Sequence, residues 1–284
     1  MAKYRLLRQK LLTDDLSATC QMLIPAAASN DQLLRVHSER YLSRVIAGQL
    51  TDHEVRRIGF PWSSNMVERS RRSVGATICA VASALADPCG VSVNLAGGTH
   101  HAFRDHGQGY CVFNDVAVAI REAKSTSLAL RVLVIDADVH QGNGTAEIFQ
   151  SDDSVFTFSI HSAKSFPARK TVGDIEIALA SGTGDETYLA ELQSGLDACP
   201  KGFDLAVYLA GADPYEGDRL GRLKVTKAGL RQRDQLVLSH CKRQGLPVAI
   251  TMAGGYAPDI DDIVGIQFST IQTAARVYGL MDSP

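Results

Sequence analysis

The segment DADVH (136–140) sets a carboxylate, Asp138, and an imidazole, His140, two residues apart at the end of an apolar run. In an extended chain, residues two apart point to the same face, so both side chains can address one point. A second acidic run end, GAD (211–213), offers Asp213 as a third ligand. Two carboxylates and a neutral imidazole balance a divalent ion and leave positions open for water and substrate, as a catalytic zinc site requires. One D-x-H triplet alone is more simply a buried Asp–His hydrogen bond or a strand-end cap. The metal reading gains its weight from the second acidic run end and from the His100–His101 pair in GGTHH (97–101). Asp136, two residues before Asp138, can accept a proton from a neighbouring imidazole and fix its tautomer. The glycines before His100 permit unusual turns, and Gly254–Gly255 before Tyr256 let the backbone approach a ligand closely. Taken alone, Tyr256 reads as a half-buried packing residue.

The elements that must position these residues follow from the apolar pattern. Near-continuous hydrophobic runs occur at 91–97, 131–140, 154–161, 174–179, 204–213 and 247–256. They suit strands buried on both faces of a parallel sheet. Helical spacing occupies 3–12, 31–48, 64–86, 114–124, 184–196 and 226–244, with Asn114 and Asp115 as candidate caps and Gly245 and Pro247 closing the last of these helices. The β-α-β-α order predicts an α/β fold: a three-layer α/β/α arrangement around a mainly parallel sheet. With no internal repeat and no long linker, residues 1–284 read as a single domain. In such sheets ligands bind beyond the carboxyl ends of the strands. Five run ends therefore bring His100, His101, Asp136, Asp138, His140, Asp213 and Tyr256 around one crevice.

Composition narrows the function classes. The 284 residues are 45% hydrophobic and 21% charged, which excludes collagen-like and disordered chains. Lys plus Arg number 29 and Asp plus Glu 31, a net charge of −2 that argues against a dedicated nucleic-acid binder. The six cysteines (20, 79, 89, 111, 199 and 241) form no C-x-x-C pair, and a chain of this length needs no disulfide staples, so reduced and mostly buried thiols are expected. No apolar run reaches the length of a membrane span, and the N-terminus has no apolar signal segment, so a cytoplasmic protein is the expectation. The run ERSRR (68–72) reads as a solvated helix face, and His37, His53 and His240 need no function.

The segments GGTHHAF, GYCVFNDVAVA, VIDADVHQGNGT, FSIH, AGADPYEGDRLG and AGGY, in this order across residues 97–256, resemble the histone deacetylase family of the arginase/deacetylase superfamily. HQGNGT, EGDRLG and TKAGLRQRDQLV are most similar to its class IV branch and bacterial relatives. The resemblance implies one zinc ion per chain held by Asp138, His140 and Asp213. It implies an active-site pair at His100 and His101, with Asp136 and Asn143 as their partners, and a carbonyl-polarising tyrosine at Tyr256. Gly109, Tyr110 and Phe166 match walls of an acyl-lysine tunnel, and Leu220 a residue at its rim. Groups of Asp136, Asp138, His140, Ser159 and Ile160 match a structural potassium site.

Three departures carry consequences. Asn143 stands where many class I members have an aspartate; it carries no charge, so it should raise the basicity of His101 less. Gln141 follows His140 where many relatives have a second histidine. Relatives usually have a further N-terminal strand before the segment that resembles MAKYRLL, so the expected sheet lacks it.

The activity implied is hydrolysis of an N-acyl amide, most simply the acetyl group of acetyl-lysine in a protein. Alternatives are an acetylpolyamine or other small-molecule amidohydrolase, for which Leu220 replaces an acidic gate, and a non-catalytic ligand-binding homologue. A binuclear manganese amidinohydrolase of the arginase type would need further carboxylates where Gly142 and Tyr215 stand.

Overall fold

The structure, a computed structural model, describes residues 2–87, 90–126 and 131–281. Cys89, expected as a thiol, lies outside the described residues. In chain order the elements are α1 (Ala2–Leu12), α2 (Asn30–Leu34), α3 (Glu39–Ile46), α4 (Asp52–Ile58), α5 (Ser64–Ala86), β1 (Val91–Asn94), α6 (Asp115–Ser125), β2 (Val132–Asp136), α7 (Asn143–Phe149) and β3 (Val155–Ser162). They continue with β4 (Ile175–Leu179), α8 (Asp185–Ala198), β5 (Leu205–Leu209), α9 (Lys227–Arg243), β6 (Val248–Thr251) and α10 (Ile260–Val277).

The six strands form one sheet in the order β1-β6-β5-β2-β3-β4, and every pairing is parallel. The chain steps from β2 outward to β3 and β4, then returns to lay β5 on the other side of β2. The strand order thus reverses between β2 and β5, the place where an open sheet leaves a crevice at its carboxyl edge.

The strands read as continuous apolar runs because both faces are covered. Val132 and Val134 of β2 pack into a cluster with α3, α5 and α6 residues such as Tyr41, Val74, Val81, Val116 and Ile120. Leu133 and Ile135 point the other way, into a cluster with Leu7, Leu192, Leu196, Leu230, Val237 and Ile263 from α1, α8, α9 and α10. Alternation along one strand feeds two cores, giving the three-layer α/β/α architecture expected.

Three local expectations are corrected. The strands end earlier than the apolar runs, and Asp138 and His140 lie in a bend beyond β2 rather than in extended chain. The helical spacing at 31–48 belongs to two helices: Ser38 caps α3 by accepting from the Tyr41 N–H, and His37 turns into the core between them. The helices α4, α7 and α10 lie where the apolar spacing assigned none. Cys20, Cys79, Cys111, Cys199 and Cys241 are free thiols, three of them buried. Among the described residues no helix is long and apolar enough to cross a membrane.

Candidate active site

The GGTHH loop is shaped by the start of α6. The buried carboxylate of Asp115 accepts from the N–H groups of Gly98 (3.0 Å) and Thr99 (2.7 Å) and from the Thr99 hydroxyl (2.6 Å). Asn114 caps α6 through the Ala117 N–H (2.9 Å) while its amide donates to the Ala102 carbonyl (3.1 Å). The carbonyl of His100 accepts from Gly144 (3.0 Å) and Thr145 (3.1 Å) at the start of α7. With backbone on both sides pinned, the two imidazoles have little freedom.

His100 Nδ1 lies 2.6 Å from Asp136 Oδ2, and His101 Nδ1 lies 2.8 Å from Asn143 Oδ1. Their Nε2 atoms are 3.2 Å apart. Burial disfavours the imidazolium of His100, but the Asp136 and Asp138 carboxylates outweigh it and raise its pKa to about 9. Burial, then the positive charges on His100 and His140, pushes His101 well below the usual histidine range. The surroundings thus favour the charged form of His100 and the neutral form of His101.

Beyond β2 the chain folds back on its own carboxylates. Asp136 Oδ1 accepts from the Asp138 N–H (3.1 Å), and Asp138 Oδ1 from the His140 N–H (2.9 Å). Asp213, beyond β5, accepts from the Val139 N–H through Oδ1 (2.9 Å), and the Gly254 N–H donates to Asp138 Oδ2 (2.8 Å). A Cβ at Gly254 would stand 1.9 Å from Asp213 Oδ2, so only glycine fits this approach.

One ligand atom from each of Asp138, His140 and Asp213 lies within 4.8 Å of the others, and all three residues are buried. Asp213 Oδ2 sits 3.3 Å from His140 Nδ1 yet has no hydrogen-bond partner. Burial and the neighbouring Asp138 carboxylate raise Asp213 to about 6. Burial opposes charge on His140, but the two carboxylates raise it to about 10. Two buried carboxylates that repel each other, with one Asp213 oxygen short of a hydrogen bond and only the His140 ring between them, fit a divalent cation. These three residues can hold one.

The same cavity reaches the surface between Gly109, Tyr110, Phe166, Leu220 and Tyr256. Tyr110, Phe166 and Leu220 are 47%, 43% and 42% exposed, unusual for large apolar side chains and suited to the mouth of a binding tunnel. The Phe166 ring stands edge-on to His101 at 4.8 Å between centroids, and the Tyr110 and Tyr256 rings are 5.8 Å apart. At Gly109, φ is +55°, and a Cβ would meet His101 Cδ2 at 2.7 Å and Phe166 Cε1 at 2.9 Å, closing the passage. Burial keeps the Tyr256 phenol protonated, so it is available as a donor. Its backbone N–H is held by Asp218 Oδ2 at 2.6 Å.

Of the remaining predicted residues, Ser159 lies opposite Asp136 in the β2–β3 register, with Ile160 next in β3. Gln141 faces away from the ligands: its amide donates to the Thr171 carbonyl (2.6 Å) and Glu176 (2.7 Å), tying the β3–β4 connection to the site loop. Tyr215 points elsewhere, its hydroxyl 3.3 Å from Asp262.

Sequence reasoning missed Arg233. Fully buried in α9, it pairs with Asp234 and donates from NH1 to the carbonyls of Gly211 (2.5 Å) and Ala137 (3.4 Å). Those carbonyls belong to the two loops that carry Asp213 and Asp138. The signal was present: Leu230, Arg233, Asp234, Val237, Leu238 and Cys241 follow one helical stripe, so a charged pair occupies core positions.

Comparison with known proteins places the chain in a family. A family model described as histone deacetylase domain matches residues 1–265. An uncharacterized protein of Picosynechococcus is 43% identical over 97% of this chain and 92% of its own length. Histone deacetylase 2 of Arabidopsis thaliana is 32% identical over 87% of this chain and 66% of its own. A crystal structure of an HDAC homolog complexed with SAHA superposes with a TM-score of 0.81 at 24% identity, covering 100% of this chain and 77% of that one. With the fold and the domain match in agreement, the chain belongs to the histone deacetylase family.

Proposed function

We propose that this chain is a zinc-dependent amidohydrolase that removes acetyl or longer acyl groups from the side-chain amine of lysine in proteins or from related N-acyl amines. The observation that carries the reading is the convergence of Asp138, His140 and Asp213 with one buried oxygen left unpartnered. Zinc, when bound there, supplies Lewis acidity toward an acyl oxygen and a water molecule. The chain's own residues do the rest. Neutral His101 accepts the proton of the attacking water at Nε2 and later delivers it to the departing amine. His100, held charged by Asp136, adds a fixed positive charge beside the developing oxyanion. The Tyr256 hydroxyl donates a hydrogen bond to that oxyanion. Water adds to the acyl carbon, the C–N bond breaks, and carboxylate and free amine leave. Gly109, Tyr110, Phe166 and Leu220 hold the aliphatic stem of the substrate by apolar contact.

One zinc ion per chain is supported by what stands at the positions a second metal would need, a glycine (Gly142) and a tyrosine bonded to Asp262 (Tyr215). The run HQGNGT supports a class IV-like member. The register pairing of Asp136 with Ser159 supports a potassium ion near Asp136, Asp138, His140, Ser159 and Ile160. The reading further takes residues 1–284 as one deacetylase domain acting in the cytoplasm.

Elemental analysis of the purified protein, paired with turnover of acetyl-lysine peptides and acetylpolyamines with and without chelator, tests this. One zinc per chain, chelator-sensitive peptide turnover and inhibition by a hydroxamate are expected. Asp213→Ala should lose metal and activity together. Two manganese ions per active chain, or zinc-loaded protein that turns over neither acetyl-lysine peptides nor acetylpolyamines, would overturn it.

A further inference from the structure

Exposed cations line the cavity that contains the tunnel residues. Arg56 and Arg57 end α4, and the Arg57 carbonyl accepts from the N–H of the tunnel-wall Gly109 at 3.1 Å. The Arg57 Nε donates to Gln108 at 3.3 Å, which holds the guanidinium beside that wall. Lys164 lies two residues before Phe166, and Arg222 two residues after Leu220. All four are exposed and line the same cavity as the ligands.

Two acids of this region, Glu54 and Asp218, are already engaged, while Asp105 is exposed beside His106. Glu54 is ion-paired with Arg44, which burial resists but which holds Glu54 down at about 2. Asp218 turns its oxygens to the N–H groups of Tyr256 (2.6 Å), Leu220 (2.8 Å) and Gly221 (3.0 Å). Neither Glu54 nor Asp218 lines the cavity. The chain as a whole carries a net charge of −2, so this local excess is not a consequence of composition.

We infer that the preferred substrate presents its acyl-amine within anionic surroundings: an acyl-lysine flanked by aspartate or glutamate, rather than a lysine-rich tail or a polycation. The inference rests on the acyl-lysine reading above and adds the charge class of the substrate. Like charges facing the mouth raise the local concentration of an acidic peptide and repel a basic one, an effect of association rate that salt removes.

Three fluorescent acetyl-lysine peptides that differ only in flanking Glu, Ala or Lys, presented to the zinc-loaded protein, form the test. At low ionic strength the Glu-flanked peptide should exceed the Lys-flanked one about tenfold in kcat/KM and in affinity by anisotropy. The gap should shrink to about twofold near 1 M salt, where the Debye length is about 3 Å. The double variant Lys164→Glu/Arg222→Glu leaves two cations against two new carboxylates and should abolish the difference between the two charged peptides. Equal behaviour of all three at low salt, or a preference unaffected by salt and by the double variant, overturns the inference. Anisotropy needs no turnover, so a protein that binds the Glu-flanked peptide and hydrolyses none refutes the deacetylase reading and leaves this one standing.

Discussion

His100 and His101 meet through their Nε2 atoms at 3.2 Å, while their Nδ1 atoms face unlike partners, a carboxylate at Asp136 and an amide at Asn143. Adjacent in sequence, the two rings are thereby given opposite protonation states. Asp136 stabilises an imidazolium at His100, whereas Asn143 can only accept the Nδ1 proton of a neutral His101. The Nε2 of His101 is then the unprotonated nitrogen of the pair, accepting from the Nε2–H of His100.

That division predicts unequal roles. His101→Ala removes the proton acceptor, and kcat should fall by about 10²–10⁴-fold. Tyr256→Phe removes one oxyanion donor while keeping its packing ring, at about 10²–10³-fold in kcat. Both losses should appear in kcat more than in KM, with metal content unchanged. A Tyr256→Phe enzyme with near-normal kcat would make that tyrosine a packing residue.

Asn143→Asp places a carboxylate 2.8 Å from His101 Nδ1. A negative charge there favours the imidazolium and raises the His101 pKa. Because the neutral form is the base, the acid limb of the kcat/KM profile should move to higher pH. A profile superimposable on the wild type would show that His101 does not set that limb.

Arg233→Met removes the donor to the Gly211 and Ala137 carbonyls and leaves Asp234 buried without its cation. Breaking a buried pair in this way costs about 3–5 kcal/mol. The loops bearing Asp138 and Asp213 lose a shared anchor, so zinc affinity should fall along with stability. Competition with a chromogenic chelator reads the first and urea unfolding the second. Unchanged zinc affinity in a destabilised variant would reduce Arg233 to a packing role.

His37 predicts a pH dependence of stability far from the ligands. Its Nδ1 donates to the Phe103 carbonyl at 3.0 Å, and its Nε2 accepts from the Asn114 N–H at 3.0 Å, so both nitrogens are committed to the neutral form. Burial lowers its pKa from 6.5 to about 4. The unfolded chain therefore binds this proton first as pH falls. The contribution is complete above pH 6.5 and is lost as pH falls from 6.5 through about 4, by roughly 3 kcal/mol in total. Urea titrations of wild type and His37→Gln should give a stability difference that shrinks by that amount between pH 7 and pH 4. Parallel curves would contradict it.

How much of this was legible beforehand follows from which forces act locally. The strands could be read because burial on two faces leaves an unbroken apolar run, and the candidate ligands because Asp138, His140 and Asp213 stand where such runs end. Helix α10 buries Gln267, Thr270 and Thr273 among its apolar positions, so polar residues interrupt the stripe by which a helix is read from sequence. The break between α2 and α3 was hidden because apolar spacing continues across it, while its cause, His37 reaching Phe103 and Asn114, lies 66 and 77 residues away.

The sequence by itself determined the layer architecture and brought Asp138, His140, Asp213 and the His100–His101 pair forward as candidates, since each depends on residue type and on neighbours a few positions apart. Only the tertiary structure decided that Arg233 holds the carbonyls of two ligand loops, that His100 and His101 differ in charge, and that Arg57, Lys164 and Arg222 share one mouth. The reason is that these depend on β5 returning to the far side of β2, which brings together residues between 22 and 165 positions apart. A charge acts on whatever stands within a few ångströms of it, and that neighbourhood is set by strand order.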